Sequence, residues 1–155
     1  MLKKIVITIA FLSSLLFSEG RITPLSQFYL TSLELKNQKF NVWLALNPLQ
    51  YREGLSFVSS DAVPPRYGML FIYPENEERT FWMKNTFINL DIAFIKENGE
   101  VVTIYSMSRD SYRLFSSRED VRYVLELREG TFKEIALKVG DKIQFSKVIL
   151  GLSKP

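Results

Sequence analysis

The sequence contains neither cysteine nor histidine among its 155 residues. The lack of cysteine excludes disulfides, thiol nucleophiles and iron–sulfur clusters, and the two absences together exclude Cys/His zinc sites and Ser-His-Asp triads. Glycine is also scarce, and its seven widely spaced residues form neither a dinucleotide-binding fingerprint nor a phosphate-binding loop. We therefore predict no metal and no cofactor, and any catalysis would depend on carboxylates, Lys, Arg, Tyr, Ser or Thr.

The charged residues are mixed along the chain, with 20 Lys and Arg against 17 Asp and Glu. The densest basic stretch, residues 109–122, holds four arginines interrupted by three acidic residues. Such mixing differs from the continuous basic stripe that follows a nucleic-acid backbone, so nucleic acid is not a predicted partner. The hydrophobic fraction of 46% is typical of a globular domain and excludes disorder of the whole chain.

The first twenty residues have the layout of a secretory signal peptide. Lys3 and Lys4 precede an apolar or small run at residues 5–17, and the small residues Ser18 and Gly20 suit cleavage before Arg21. The run is shorter than the roughly 20 residues that span a bilayer. We predict export of residues 21–155 to the periplasm or the cell exterior, with membrane contact only through the signal segment. An uncleaved anchor or a buried first strand is the alternative.

Most of the remaining chain is predicted to form strands. Strands are expected at residues 40–46, 68–73, 81–84, 91–96, 100–105, 121–128 and 141–149, from period-two alternation or short apolar runs. Asn98 and Gly99 favour a type I′ hairpin turn. Residues 59–67 and 108–118 stay irregular, either as binding loops or as plain connections.

Two short helices are predicted among these strands. Asn47 is placed to cap the first helix, Pro48 to begin it and Gly54 to end it. A capping box of Thr131 and Glu134 would open the second, which would end at Gly140. The fold class predicted is mainly β: a single compact β-sandwich or small barrel with two short helices, expected to be a monomer.

The most unusual string runs from residue 81 to residue 91, where polar side chains interrupt an apolar stretch. One hypothesis brings Lys84, Asn85, Thr86 and Asp91 to a pocket floored by Trp82, where they would bind a small polar ligand. The other hypothesis is structural: Asp91 pairs with Lys84 or caps a turn, and Asn85 bridges the connection that follows it.

This string also carries a family resemblance. The order and spacing of the motifs are similar to those of the domain-of-unknown-function 192 family, over about residues 38–146. The matching stretches are residues 68–71, the FWMKNT string at 81–86, residues 90–94, the turn at 98–99, residues 123–127 and residues 139–141. The resemblance implies a compact, mostly β domain with short helices, often with a signal sequence, and no accepted activity.

The family pattern singles out a set of positions in this chain, and two of its residues differ. The positions are Gly54, Leu55, Gly68, Trp82, Lys84, Asn85, Thr86, Asp91 and Gly140. Ser56 stands where the family usually has Met, and Asn89 where it usually has Pro. The second difference removes a rigid residue beside the candidate site.

Three functions are compatible with this pattern. We favour a non-catalytic module that binds a small polar ligand, a glycan or another cell-envelope component. The second is a hydrolase of envelope glycans that uses Asp91 with another acid such as Glu53. The third is a structural or assembly factor of the envelope that has no pocket. No catalytic residue is assigned.

Overall fold

A computed structural model describes residues 20–152 of the chain. The predicted signal segment therefore lies outside the described residues, except for Gly20. Within the described range the elements are, in chain order, β1 (Tyr29–Leu35), β2 (Gln38–Ala45), α1 (Pro48–Glu53), β3 (Tyr67–Phe81), β4 (Leu90–Ile95), β5 (Val101–Met107), β6 (Phe115–Arg128), α2 (Thr131–Glu134) and α3 (Lys147–Leu152). None of these helices is long and apolar enough to cross a membrane.

The strands form one six-stranded mixed sheet in the order β1-β2-β3-β6-β4-β5. Only β2 and β3 pair in parallel, because the connection through α1 carries the chain back across the sheet. The mainly β prediction is confirmed, but the described strands neither close into a barrel nor form a second sheet. Helices and loops cover both faces of the sheet. A period-two pattern indicates that one strand face is buried, but it does not indicate whether a second sheet or a layer of helices and loops covers that face.

Each face of the sheet has its own apolar core. On the first face, Met69, Phe71, Ile92 and Val124 pack with α1 and with residues 55–63 and 83–88. On the second face, Leu70, Ala93 and Leu125 pack beneath α2, α3 and the chain between them. The central strands are buried on both sides, which explains their nearly continuous apolar sequences.

The predicted start and end of α1 are confirmed. The Asn47 side chain accepts a hydrogen bond from the Gln50 backbone N–H at 3.1 Å, and Gly54 ends the helix in a positive-φ conformation. The Gln50 side chain in turn accepts from the Leu46 backbone N–H. This reciprocal pair fixes the first turn of α1 at the end of β2.

Several local predictions are wrong. Strand β3 continues without a break from the strand predicted at residues 68–73 to residue 81, and residues 82–84, predicted as strand, lie in the loop that follows it. The β4–β5 hairpin forms, but Gly99 alone has positive φ at its turn, so the turn is not type I′. Residues 141–149 make one isolated bridge, at Lys142, and then enter α3, because their apolar residues pack across the second face.

Gly68 sets the closest approach of β3 to β6. A Cβ at position 68 would stand 2.1 Å from the Glu126 carbonyl oxygen and 2.5 Å from a Leu127 methyl carbon. Any side chain here would push the two strands apart. The glycine therefore fixes where Glu126 lies in the sheet.

Candidate functional site

The FWMKNT string ends β3 and forms a tight turn. The Thr86 backbone N–H donates to the Met83 carbonyl, and Asn85 has a φ of +58°, a left-handed conformation that asparagine tolerates. The Asn85 backbone is held on both sides, since its N–H donates to Asp110 and its carbonyl accepts from the Phe57 N–H. Asn85 therefore fixes the loop mainly through its backbone.

Trp82 and Lys84 point outward. The Trp82 side chain is 50% exposed, the Lys84 ammonium lies 5.5 Å from the centre of its ring, and Tyr112 packs edge-on against it. Trp82 is one of the residues that line a cleft, although half of the residue is exposed. Thr86, by contrast, is buried and lines the same cleft.

Asp91 lies on the opposite face of the sheet from this cleft. It alternates with Leu90 and Ile92, which face the first core, so its carboxylate points to the second face. One carboxylate oxygen accepts from the Ser106 hydroxyl at 2.8 Å, and the other accepts from the Phe132 backbone N–H at 3.0 Å. The structure therefore does not bring Asp91 together with Trp82, Lys84, Asn85 and Thr86.

Asp91 caps α2. This corrects the predicted cap at Thr131 and the predicted pairing of Asp91 with Lys84. Thr131 was expected to cap the helix, but Gly130 occupies the N-cap position and offers no side chain. A carboxylate from a strand 41 residues away supplies the missing acceptor. This is the structural hypothesis for Asp91 in a modified form, since the partner is a helix N–H and not Lys84.

The cleft on the first face has a volume of about 180 Å³ and lies between α1, β3 and the FWMKNT loop. Aromatic side chains make up much of its wall: Tyr51, Phe71, Tyr73, Phe81 and Trp82. Its polar lining includes two carboxyl groups, those of Glu53 and Glu126. Cavities that hold drug-sized ligands are larger, roughly 300–1,000 Å³, so this one suits a molecule of about one ring.

Glu126 is the most unusual residue of the cleft. Its side chain is only 4% exposed and makes no hydrogen bond or ion pair within the described part of the chain. Met69 of β3 and Ile92 of β4 are its cross-strand neighbours, so the carboxyl enters the cleft from the centre of the sheet. Burial raises the pKa of Glu126 to about 8, and the carboxyl therefore holds its proton at neutral pH.

Sequence reasoning missed Glu126 because it alternates with Leu125 and Leu127, and the polar member of such a pattern is normally solvated. The available signal was Val124, an apolar residue on the same face of β6 as Glu126. The apolar run at residues 123–125 is typical of a strand that is covered on both faces.

Tyr51 and Tyr73 form the other end of the cleft. Their ring centres are 4.4 Å apart, and the Tyr51 hydroxyl donates to the Ile72 carbonyl at 2.6 Å. The Arg79 guanidinium lies 4.0 Å from the centre of the Tyr73 ring. Burial raises the pKa of both phenols, so they stay uncharged.

The carboxylate of Glu53 already has hydrogen-bond donors within the chain. It accepts hydrogen bonds from the backbone N–H groups of Ile22, at 2.6 Å, and Thr23, at 3.2 Å. Arg21 binds beside it, donating to the Gly54 and Ser56 carbonyls. Glu53 therefore holds the segment that follows the predicted signal peptide. In residues 20–152 no three acidic side chains come close enough to bind a metal ion.

The chain belongs to the DUF192 family, whose sequence model, described as "Uncharacterized ACR", matches residues 31–145. This confirms the family expected from the FWMKNT string and its companions. No curated protein matches the chain.

Two solved structures share the fold. One is from Sinorhizobium meliloti 1021 and is described as a "putative transcription regulator"; it is 34% identical, with a TM-score of 0.66, over 74% of this chain and 90% of that chain. The other, a protein of unknown function from Novosphingobium aromaticivorans DSM 12444, is 24% identical, also with a TM-score of 0.66, over 76% and 85% of the two chains. The second likeness concerns the fold alone.

Replacing Asp91 with Ala should cost about 2 kcal/mol of unfolding free energy, because the buried Phe132 N–H loses its acceptor. Asp110→Ala is the matched control, since Asp110 also accepts a backbone N–H but at an exposed site. Chemical denaturation of the two variants measures the difference. Equal stability of the Asp91→Ala and parent chains would return Asp91 to the list of candidate ligand-binding residues.

Proposed function

We propose that this protein is an exported, non-catalytic binding module whose cleft holds a small polar ligand, about the size of one sugar ring, against Glu126. The observation that carries the proposal is the buried Glu126 carboxyl, which has no hydrogen-bond partner among the described residues and borders the cleft. A buried polar group is normally hydrogen-bonded to protein, water or a ligand. A ligand in the cleft that pairs with the carboxyl would supply this partner.

The chemistry of the cleft sets the kind of ligand. A protonated carboxyl both donates and accepts a hydrogen bond, which suits a hydroxyl or a carbonyl group. The aromatic wall offers apolar contact to a ring or short carbon skeleton. Sugars combine these two features, and a glycan is one of the ligands expected from the sequence.

Binding is favoured over hydrolysis by the positions of the carboxyl groups. A glycosidase normally needs two carboxyls that flank one bond. Asp91 lies on the other face of the sheet, and the Glu53 carboxylate is held by two backbone N–H groups. Glu126 therefore has no second carboxyl that is free to act with it among the residues that line the cleft.

The name of the S. meliloti relative suggests a role with nucleic acid. In this chain the basic stretch at residues 109–122 is not a continuous row of cations, because Arg122 is buried and the exposed acids Asp110, Glu119 and Asp120 lie among the three exposed arginines. A row of exposed cations along a nucleic-acid backbone is thus lacking in this stretch, and we do not extend that role to the present protein.

The ligand proposal is tested by titrating the full chain with glucose and, separately, with N-acetylglucosamine, and by monitoring each titration with amide NMR. Saturable shifts are expected at residues that line the cleft, such as Gly54 and Thr86. Glu126→Leu should weaken binding roughly tenfold or more, because it leaves the ligand's polar group unpaired. Glu126→Gln should bind nearly as well as the parent, since an uncharged amide also donates and accepts.

Glu129→Leu is the control for this experiment, because Glu129 carries the same side chain at an exposed position just beyond β6. It should bind both sugars like the parent chain. The absence of saturable shifts with both sugars, or equal weakening by Glu126→Leu and Glu129→Leu, would contradict the proposal.

Export is tested by expressing the full chain in a bacterial host and measuring the mass of the product. A chain that begins at Arg21 is expected, and Gly20→Leu should block processing because signal cleavage requires a small residue at that position. The anchoring of Arg21 to Gly54 and Ser56 fits a mature chain that begins there. Recovery of the parent chain with Met1 or residues 2–20 still attached would contradict processing at this site.

A further inference from the structure

Two loops beside the cleft are joined into one unit. Residues 82–89 follow β3, and residues 108–114 connect β5 to β6. The Met83 N–H donates to the Ser111 carbonyl at 3.0 Å, and the Asp110 N–H donates to the Thr86 carbonyl at 2.9 Å. The Arg109 N–H adds a bond to the Asn89 side chain at 2.8 Å. We call this unit the loop pair; its backbone bonds make it a defined surface.

The loop pair exposes four large apolar side chains. Trp82 is 50% exposed, Phe87 46%, Tyr112 67% and Leu114 66%. Isolated exposed apolar residues are ordinary, but four of them on one hydrogen-bonded unit form a patch of the kind that marks an interaction surface.

The charge of the loop pair is positive. Lys84, Arg109 and Arg113 are all exposed. Asp110 is the acidic residue within these two segments, and one of its carboxylate oxygens accepts the Asn85 N–H. The patch therefore combines aromatic and aliphatic side chains with an excess of two cations, on an 18.0 kDa chain whose whole net charge is only +3.

We propose that the loop pair is a membrane-docking surface that rests on a bilayer containing anionic phospholipid. Trp and Tyr favour the headgroup level of a bilayer, Phe and Leu favour the layer just below it, and each Lys or Arg gains energy from anionic headgroups. This inference goes beyond the binding cleft and does not depend on the cleft holding a sugar.

A nucleic acid fits the loop pair less well than a lipid surface. Base stacking needs open ring faces, whereas the Lys84 ammonium lies over the Trp82 ring and Tyr112 packs edge-on against Trp82 at 86°. Leu114 adds exposed aliphatic surface, which gains nothing from stacking and much from burial in lipid.

The start of the described chain lies close to the loop pair. Arg21 donates to the Ser56 carbonyl, and the Ser56 hydroxyl donates to the Lys84 carbonyl at 3.3 Å. The chain thus enters the domain beside the surface that we assign to the membrane.

The test uses the fluorescence of the full chain, whose two tryptophans differ in environment: Trp43 is buried and Trp82 is exposed. Vesicles of phosphatidylcholine alone are compared with vesicles that also contain phosphatidylglycerol, both with brominated acyl chains that quench nearby tryptophan. Quenching is expected with the anionic vesicles only, and high salt should weaken it. Trp82→Phe should abolish it, because Trp43 cannot reach the lipid.

The double variant Lys84→Gln, Arg113→Gln should need roughly tenfold more anionic lipid for half-maximal quenching. Lys133→Gln with Lys138→Gln removes the same charge from exposed positions on and after α2 and should behave like the parent. Absence of quenching, equal quenching by both vesicle types, or equal effects of the two double variants would overturn the proposal. A change in Trp82 emission with oligo-dT but not with anionic vesicles would overturn it in favour of nucleic acid.

Discussion

The long antiparallel pairing of β3 with β6 forms the centre of the sheet, and the positions of the other strands and of the cleft depend on it. The two strands are the longest of the described sheet, at 15 and 14 residues, and they lie at its centre. Gly68 lets their backbones approach where any Cβ would collide with Glu126. Because helices and loops cover both faces, every side chain at the centre of β6 is buried. A carboxyl at position 126 therefore has no direct route to bulk water except through the cleft.

That burial gives the cleft its chemical character. A carboxylate removed from water and left without a cation or a hydrogen-bond donor is costly, so the group keeps its proton instead. The result is an uncharged donor and acceptor in a cleft that is also lined by Tyr51, Tyr73 and the buried Thr86. The surrounding rings and the small volume then limit which molecules can reach it. The proposed recognition of a polar group would depend on this neutral acid and on no metal ion or nucleophile.

Local sequence signals predicted the parts of the fold that depend on local interactions. Asn47 and Gln50 define the start of α1 by hydrogen bonds within a few residues, and the strands at residues 40–46, 68–73 and 91–96 follow from their own patterns. The site depends on distant partners, so it was harder to predict. Asp91 caps a helix that lies far along the chain, and Glu126 is buried only because β3 and β4 flank it. Thr86 lines the cleft, but its separation from Asp91 depends on the sheet, which places Asp91 on the opposite face.

The central claim is that the Glu126 carboxyl is uncharged in the folded protein at neutral pH. The direct test is the unfolding free energy of the parent chain and of Glu126→Gln, measured from pH 4 to pH 9. The pKa of Glu126 is raised from an ordinary 4.5 to about 8, so the folded state keeps a proton that the unfolded state releases between these values. The stabilising contribution is complete below about pH 4.5 and is lost as the pH rises towards 8, with a slope of up to about 1.4 kcal/mol per pH unit. The parent should therefore lose stability relative to Glu126→Gln across this window, whereas parallel curves for the two chains would contradict the claim.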